Sequence, residues 1–445
     1  MLFRGDRSAL LLAAFFLLSC AGSPPPVLEA APDSARDTPV ILVPGTTGVE
    51  LKNPTSGKFV WGKGINLLRP HDGGYAMALP VDAAADTTPD LETGKVIEEI
   101  RLGGLIRKPV YGPIVDLFAA NGYQPGDLEA PRPDDTFFLF AYDWRQENVA
   151  SAALLLERLE NLRRVRGSPR LPVALICQSN GAHICRYLAK YGGAPLAEAE
   201  AGRVGPPAAV EVEKLILVSS SNGGSLRILR ELDRGRSYIS LVGWRPETLF
   251  TFRSLFQDLP AYRADLFMDE QGGSMEVDLY DPVAWRTFGW SIYGAPAARR
   301  VDGARRSDLF GDGKTRFDYL RRTLDSARRF QKVLATDSPG FGRPDYYLIQ
   351  NRDIDTPERA VLVEKKGVWK TFFTGDRWLE KRPHLKELAT TAGDGHAGIE
   401  SQLWLSPQEQ DRMVDEPYEV EGDHFDLILD PSALEYLLQI LADRG

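Results

Sequence analysis

Short apolar runs alternate along this chain with segments of helical periodicity. The first run is Pro39-Val-Ile-Leu-Val-Pro-Gly45, and others of similar character cover residues 136–141, 172–176, 214–218 and 346–349. Runs of this kind, bounded by Pro or Gly, are typical of strands buried on both faces. The intervening segments repeat apolar residues every three or four positions, as amphipathic helices do. The alternation predicts an α/β fold with a mostly parallel central sheet and helices on both faces.

A long excursion follows the first strand, and after residue 218 the strand-helix alternation resumes only at residue 346, which leaves a segment of domain size between them. We therefore predict a first core part at 39–225, a cap or lid insertion at 226–343 and a second core part at 344–445. The end of the second part shows Asp430 as an N-cap and Pro431 at the first helical position, which predicts a final helix. The insertion is rich in aromatic residues, which either line a cleft or form the insertion's own core. They are Trp244, Phe250, Phe252, Phe256, Trp285, Phe288, Trp290 and Tyr293.

The segment Ile176-Cys-Gln-Ser-Asn-Gly181 places Ser179 between a buried strand and an amphipathic helix. A nucleophile elbow occupies this position and needs small residues two before and two after the serine, because strand and helix pack closely there. Gly181 meets the second requirement, whereas Cys177 replaces the usual glycine at the first. A serine in this context is also common as an ordinary helix cap. The flanking strand and helix favour a nucleophile.

A serine hydroxyl needs a base to become a nucleophile, so one histidine must come within hydrogen-bonding reach. His183 lies on the elbow helix one turn beyond Ser179 and is expected to point away from it. His71 and His384 stand in polar or proline-bounded segments. His424 follows a candidate last strand, Tyr418-Glu-Val420, and precedes the final helix. The order of elements therefore favours His424 as general base.

The imidazole in turn needs a carboxylate, which in this type of site falls between the serine and the histidine in the chain. Two Gly-Asp-Gly triplets compete. Asp312 falls inside the predicted insertion, whereas Asp394 follows the run at 346–349. Asp394 is therefore preferred, and Asp376 is the remaining rival. The order Ser179, Asp394, His424 is the order found in α/β-hydrolases.

An oxyanion would be stabilised by the backbone N–H after the nucleophile and by another N–H from the loop after an early central strand. These are predicted to be Asn180 and Thr46, although the glycines at 45 and 48 are equally consistent with a simple tight turn. The segment 311–315 lacks the leading glycine of a phosphate-binding loop. The chain contains no H-E-x-x-H, paired C-x-x-C or G-x-G-x-x-G sequence, so we predict no metal and no cofactor.

The N-terminus carries Arg4 and Arg7, then an apolar run from Ala9 to Leu18 that is too short to span a bilayer. This is typical of a secretory signal, and Leu17-Leu18-Ser19-Cys20 looks like the lipobox of bacterial lipoproteins. We expect residues 1–19 to be removed, Cys20 to carry a lipid anchor and residues 20–38 to form a tether. An ordinary signal peptide cut nearby is the alternative. The predicted location is the bacterial envelope.

Three cysteines and a net charge of −9 limit the remaining options. With Cys20 used as an anchor, Cys177 and Cys185 are expected to be buried thiols, and a bond between them is the lesser alternative. Acidic and basic residues are interspersed without a long basic run, which argues against nucleic acid as a partner. In Tyr142-Asp-Trp-Arg145 the acid and the guanidinium are expected to form a buried structural pair.

These segments together resemble the lecithin:cholesterol acyltransferase-like family of α/β-hydrolases. The matching residues are 39–45, 142–145, 178–181, 393–395, His424 and 430–431, which span nearly all of the mature chain. The resemblance implies Ser179 as nucleophile, Asp394 as acid, His424 as base and Thr46 and Asn180 as oxyanion donors. It also implies that the insertion is a cap over an acyl-binding cleft. Cys177 and His396 depart from common family forms, which leaves the substrate and the acyl acceptor open.

The sequence therefore favours a membrane-tethered serine hydrolase or O-acyltransferase that acts on acyl esters, with lipids as the expected substrates, through an acyl-enzyme. A catalytically inert hydrolase fold with a binding role in the envelope is the alternative from another class. Cleavage of amides would use the same groups.

Overall fold

The structure is a computed structural model that describes residues 37–63, 72–82, 91–102, 106–239, 242–303, 307–342 and 344–443. The predicted signal segment, Cys20, most of the tether and His71 lie outside these ranges. Within them, no helix is both long and apolar enough to cross a membrane.

A sheet of seven strands forms the centre of the protein. Its neighbouring strands all pair in parallel, and their spatial order is β7-β6-β5-β4-β1-β3-β2. The central strands are buried on both faces, which is why they appear in the sequence as continuous apolar runs. The strands are β1 (Val40–Val43), β2 (Pro125–Gly126), β3 (Phe137–Leu139), β4 (Leu171–Gln178), β5 (Val210–Val218), β6 (Asp345–Gln350) and β7 (Tyr418–Glu419).

Helices pack around this sheet and follow its strands along the chain. Two of these helices, α1 (Gly112–Ala120) and α5 (Pro431–Ala442), have Pro in their first turn, where proline is favoured. Asp430 caps α5 by accepting a hydrogen bond from the backbone N–H of Ser432. The predicted alternation of strands and helices is thus confirmed. The principal helices are α1 (Gly112–Ala120), α2 (Asn148–Val165), α3 (Asn180–Tyr191), α4 (Gly313–Ala335) and α5 (Pro431–Ala442).

The segment between β5 and β6 does not stand apart from the rest of the protein. Its strand Phe267–Met268 pairs in parallel with Ala360–Lys365, which follows β6 in the chain. Most of its aromatic residues are fully buried and belong to the same apolar cluster as the central sheet; Phe288 and Tyr293 pack at its edge. Most of these rings therefore serve as core, the second of the two roles considered for them.

The remaining elements connect and cover the central layers. Further strands cover Val49–Lys52, Phe59–Trp61, Glu92–Val96, Glu99–Leu102, Ile106–Pro109, Arg236–Ile239, Val242–Trp244, Ser274–Met275, Ile354–Pro357, Val368–Phe372 and Thr390–Gly393. Further helices cover Leu196–Glu200, Leu226–Arg234, Pro246–Leu249, Arg253–Gln257, Pro282–Phe288, Ala295–Asp302, Ser307–Phe310, Arg377–Glu380, Pro383–Ala389, Ile399–Gln402 and Pro407–Gln410. Single 3₁₀ turns lie at Tyr75–Met77, Ser291–Tyr293 and Leu427–Leu429.

The prediction of two buried thiols is wrong. Cys177 and Cys185 form a disulfide, and their Cα atoms are 6.5 Å apart. The reason is the sharp turn at Ser179, which folds α3 back across the end of β4. Two residues only eight positions apart therefore face each other at the strand-helix contact, and both cysteines are fully buried.

Candidate active site

Ser179 sits at a sharp turn between β4 and α3. Its φ of 52° and ψ of −125° lie outside the ordinary regions for a residue with a side chain. The turn is fixed from both sides. The Ser179 N–H donates to the carbonyl of Val218 over 3.0 Å, and a Cβ at position 181 would come within 2.4 Å of the Val43 carbonyl. Only glycine fits at 181, because the first turn of α3 packs directly against β1 and leaves no room for a side chain. The serine is consequently held at the C-terminal edge of the sheet.

The hydroxyl of Ser179 is hydrogen bonded to an imidazole from the far end of the chain. Its Oγ lies 2.8 Å from Nε2 of His424, and Nδ1 of the same ring lies 2.8 Å from Oδ2 of Asp394. His424 stands in the loop after β7, and Asp394 follows the strand Thr390–Gly393. The structure thus brings together the three side chains selected from the sequence. Ser179 is partly exposed, whereas His424 and Asp394 are buried.

Both oxygens of the Asp394 carboxylate are hydrogen bonded. While Oδ2 faces the imidazole, Oδ1 accepts hydrogen bonds from the backbone N–H groups of His396 at 2.9 Å and Ala397 at 2.8 Å. Burial alone would raise the pKa of Asp394, but the charge of His424 and these hydrogen bonds outweigh burial and lower it. The backbone N–H of His424 also donates to the Asp394 carbonyl. An ionised carboxylate in this position keeps a proton on Nδ1 and leaves Nε2 free to accept one from Ser179.

The other candidate histidines and acids are either engaged elsewhere or exposed at the surface. His183 is fully buried, with Nε2 3.0 Å from the Ser221 carbonyl, and burial lowers the pKa of its imidazole to about 3. His384 is exposed on a short surface helix. Asp312 caps α4 through the backbone N–H of Thr315. The carboxylate of Asp376 accepts from Arg234 over 2.7 Å.

The two predicted oxyanion donors lie beside Ser179 on separate elements. Asn180 begins α3, so its backbone N–H has no acceptor one turn earlier in the helix. Thr46 follows β1, and in the described part of the chain its N–H donates no hydrogen bond. A Cβ at position 45 would lie 2.9 Å from the Cβ of Ser179, so glycine there allows the loop to approach the serine. Both N–H groups are therefore free to bind an incoming oxygen.

Two buried tyrosine hydroxyls join the oxyanion loop to the elbow. Tyr142 donates to the Pro44 carbonyl over 2.8 Å and accepts from the side chain of Asn180 over 3.4 Å. Tyr111 accepts from the Gly45 N–H over 3.1 Å and donates to the side chain of Gln178, directly before the serine. Burial raises the pKa of both phenols well above the usual value, so both stay protonated. The loop and the elbow are thus held in one arrangement.

Comparison with solved structures supports this architecture. A chain in the crystal structure of the Tle4–Tli4 complex superposes with a TM-score of 0.57 at 15% identity, covering 91% of this chain and 99% of that chain. The Bacillus licheniformis lipase BlEst2 in its mature form matches with a TM-score of 0.29 at 11% identity, covering 94% and 96%, a score too low to carry an argument. No protein-family model and no curated protein matches the sequence.

The chain has an α/β-hydrolase fold. The parallel order of the sheet, the strand-helix elbow and the likeness to the Tle4–Tli4 chain agree on this point.

Within this hydrolase fold, the pair Asp143–Arg145 is buried and bidentate, with two N–O distances of 2.9 and 2.8 Å. The guanidinium also donates to the Met77 carbonyl over 2.8 Å, which confirms the pair's structural role. In the described ranges of the chain, no group of three or more His, Cys, Asp or Glu side chains could hold a metal ion.

Sequence reasoning missed several residues that shape the site. Tyr111 and Asn148 gave no local signal; Asn148 exchanges two side-chain hydrogen bonds with Asn180, at 2.9 and 3.0 Å. Asp258 lies in the segment interpreted as an insertion, yet it is buried, with Oδ2 3.8 Å from Nε2 of His396. His396 stands directly after Gly-Asp-Gly, and its departure from common family forms was the one available signal.

Proposed function

We propose that this protein is a serine acyl hydrolase or O-acyltransferase that forms an acyl-enzyme on Ser179. The observation that carries the proposal is the unbroken chain of hydrogen bonds from Ser179 through His424 to Asp394, with both distances at 2.8 Å. A serine hydroxyl, an imidazole and a buried carboxylate in this order are the groups that acyl transfer requires.

In the proposed mechanism, Oγ of Ser179 attacks the ester carbonyl while Nε2 of His424 takes its proton. The carbonyl oxygen becomes an oxyanion and accepts hydrogen bonds from the N–H groups of Thr46 and Asn180. The intermediate collapses, His424 returns the proton to the departing alcohol, and the acyl group stays on Ser179. Water or an alcohol then attacks the acyl-enzyme and gives its proton to His424. The bond between Oγ and the acyl carbon breaks, the acid or the new ester leaves, and His424 returns the proton to Oγ of Ser179.

Lipids are the substrate class we propose. Phe425, directly after His424, keeps 40% of its surface exposed and offers an apolar contact beside the reacting groups. Its ring meets the imidazole edge-on, with centroids 5.4 Å apart. The resemblance to the lecithin:cholesterol acyltransferase-like family is consistent with acyl chains as substrates.

Labelling by a fluorophosphonate probe tests the nucleophile. We expect wild type to become covalently labelled and to hydrolyse p-nitrophenyl butyrate, and Ser179→Ala to do neither. Ser220→Ala is a matched control, since Ser220 is a buried serine after the neighbouring strand β5. Full labelling of Ser179→Ala would refute the assignment, and an unreactive wild type would favour the inert binding protein.

Product analysis with a phospholipid and an added alcohol then separates hydrolysis from acyl transfer, and an amide panel tests amide cleavage.

We further propose that the protein is a lipoprotein of the bacterial envelope, anchored through Cys20. The proposal rests on the signal-like N-terminus, and the disulfide between Cys177 and Cys185 is consistent with an oxidising compartment. Feeding cells an alkyne fatty acid should label wild type covalently and leave Cys20→Ala unlabelled. An unlabelled wild type, or equal labelling of the two proteins, would contradict the anchor.

A further inference from the structure

A second histidine lies flat against His424. The ring centroids of His396 and His424 are 4.2 Å apart and their planes differ by 25°, which is a stacked arrangement. His396 is 3% exposed, so the contact is inside the protein. None of the steps proposed above uses this ring.

The imidazole of His396 is not held by hydrogen bonds of its own. Neither ring nitrogen has a hydrogen-bond partner among the described residues, and the nearest carboxylate oxygen, Oδ2 of Asp258, is 3.8 Å from Nε2. The backbone anchors the residue instead: its N–H donates to Asp394, and its carbonyl accepts from the hydroxyl of Ser225. The ring therefore contributes its face and not its nitrogens.

Burial, together with the charged groups around it, keeps the ring of His396 neutral. Burial comes first among the causes that lower the pKa of His396 well below the usual value, followed by the positive charges of His424, Arg227 and Arg236. Asp258 also faces it, and burial raises the pKa of that carboxyl to about 8. His396 is therefore an uncharged ring when His424 receives the proton of Ser179.

The two hydrogen bonds of His424 fix the ends of its ring but leave one motion free. Ser179 binds Nε2 and Asp394 binds Nδ1, so the imidazole can still tilt about the line that joins these two nitrogens. A flat group packed against the ring face opposes this tilt. Phe425 meets the imidazole only edge-on, with planes 88° apart, so His396 is the parallel contact on its face.

We propose that His396 is a positioning residue whose stacked ring holds the imidazole of His424 in the plane that joins Ser179 to Asp394. The inference rests on the proposed function for its kinetic consequences. It predicts that any flat aromatic ring of similar size can replace His396, and that an aliphatic side chain of similar volume cannot.

The variants His396→Phe and His396→Leu form the matched pair. Both replacements are apolar and both remove the ring nitrogens, so any change in stability from replacing a buried imidazole should be similar in the two variants. Neither alters the backbone N–H that binds Asp394. His183→Leu controls for the loss of a fully buried imidazole that is hydrogen bonded to the Ser221 carbonyl and not stacked on His424. The readouts are the rate constant of fluorophosphonate labelling, and kcat and KM for p-nitrophenyl butyrate.

We expect His396→Phe to stay within about twofold of wild type, and His396→Leu to lose about fivefold in kcat and in labelling rate, the size of one aromatic stacking contact. KM should change less than twofold, because the ring does not touch the substrate, and His183→Leu should keep its kcat. The acidic limb of the pH profile should be the same in wild type and His396→Phe, since the ring does not titrate there. Equal rates for His396→Phe and His396→Leu, whether both are fast or both are slow, would overturn the proposal.

The proton NMR signal of the Nδ1–H between His424 and Asp394 gives a readout that needs no activity. We expect a downfield resonance in wild type and His396→Phe, and a broadened or absent one in His396→Leu. If wild type fails to react with the probe, the proposed function fails, and this resonance still decides the positioning role. An unchanged resonance in His396→Leu would end the proposal whatever the activity.

Discussion

Replacing Asp258 by asparagine should change how the stability of the protein depends on pH. The carboxyl is 3% exposed and accepts a hydrogen bond from the hydroxyl of Ser221 over 2.6 Å. Burial is the main reason that its pKa is raised from 3.8 to about 8, and the nearby carboxylates of Glu231 and Asp394 act in the same direction. At neutral pH the folded protein therefore holds a proton that the unfolded chain releases.

The size of the effect follows from these two pKa values. Because the folded pKa lies above the unfolded one, the stabilisation from this proton is complete below about pH 4 and is lost as the pH rises to about 8. The loss is about 1.4 kcal/mol for each pH unit inside that window. Between pH 5 and pH 8 it amounts to about 4 kcal/mol. Asparagine has the same shape, stays neutral and can still accept from Ser221, so the variant escapes this loss.

Urea unfolding of wild type and Asp258→Asn at pH 5, 6.5 and 8, followed by tryptophan fluorescence, measures the difference. We expect the unfolding free energy of the variant to rise relative to wild type by about 4 kcal/mol from pH 5 to pH 8. Asp278→Asn removes a carboxylate from an exposed pair with Arg328 and is the control. A difference between Asp258→Asn and wild type that is the same at all three pH values would mean that Asp258 is ionised in the folded protein, and the reasoning would be wrong.

Three further changes address the site and its support. Asp394→Asn should lower kcat for p-nitrophenyl butyrate roughly 10⁴-fold without unfolding the protein, because the wrong tautomer of His424 then faces the serine; a loss below tenfold would contradict the triad. Tyr142→Phe removes the hydroxyl shared by the oxyanion loop and the elbow, and should lower the fluorophosphonate labelling rate about tenfold, equivalent to one lost hydrogen bond; an unchanged rate would show that the link is dispensable. The double variant Cys177→Ser, Cys185→Ser should have a free energy of unfolding in urea about 2–3 kcal/mol lower than wild type, as expected for a closed loop of eight residues. Wild type in reductant should match the variant. Equal stability of wild type with and without reductant would refute a stabilising role of the disulfide.

The central sheet was predictable from sequence because a parallel strand buried on both faces leaves a continuous apolar run. Val40–Val43 is such a run, and so is Leu215–Val218 at the end of β5; each is followed by a loop and, further on, by helical periodicity. The site was predictable for a related reason. Loops at the carboxyl ends of neighbouring parallel strands meet at one edge of the sheet, so the position of Ser179 after one strand and of His424 after another placed both at that edge.

Contacts that depend on the folded path were not predictable in the same way. No local pattern distinguishes Tyr111 from any other tyrosine before a helix, since its two hydrogen bonds reach residues 66 and 67 positions away. The aromatic residues between β5 and β6 suggested either a cleft or a core, and the outcome depended on how closely that segment packs on the sheet. The disulfide depended on the angle at which α3 returns across β4, which composition does not encode.

The strained backbone at Ser179 explains why so many separate supports converge on it. A φ of 52° at a residue with a side chain costs free energy, and it persists only when the surroundings leave no alternative. Here Gly181 lets α3 press against β1, the disulfide ties β4 to α3, and Tyr142 ties the oxyanion loop to Asn180. Each support acts on a different covalent segment, so removing one should weaken the elbow and leave it formed. Loss of activity should therefore precede loss of the fold when these supports are removed in turn.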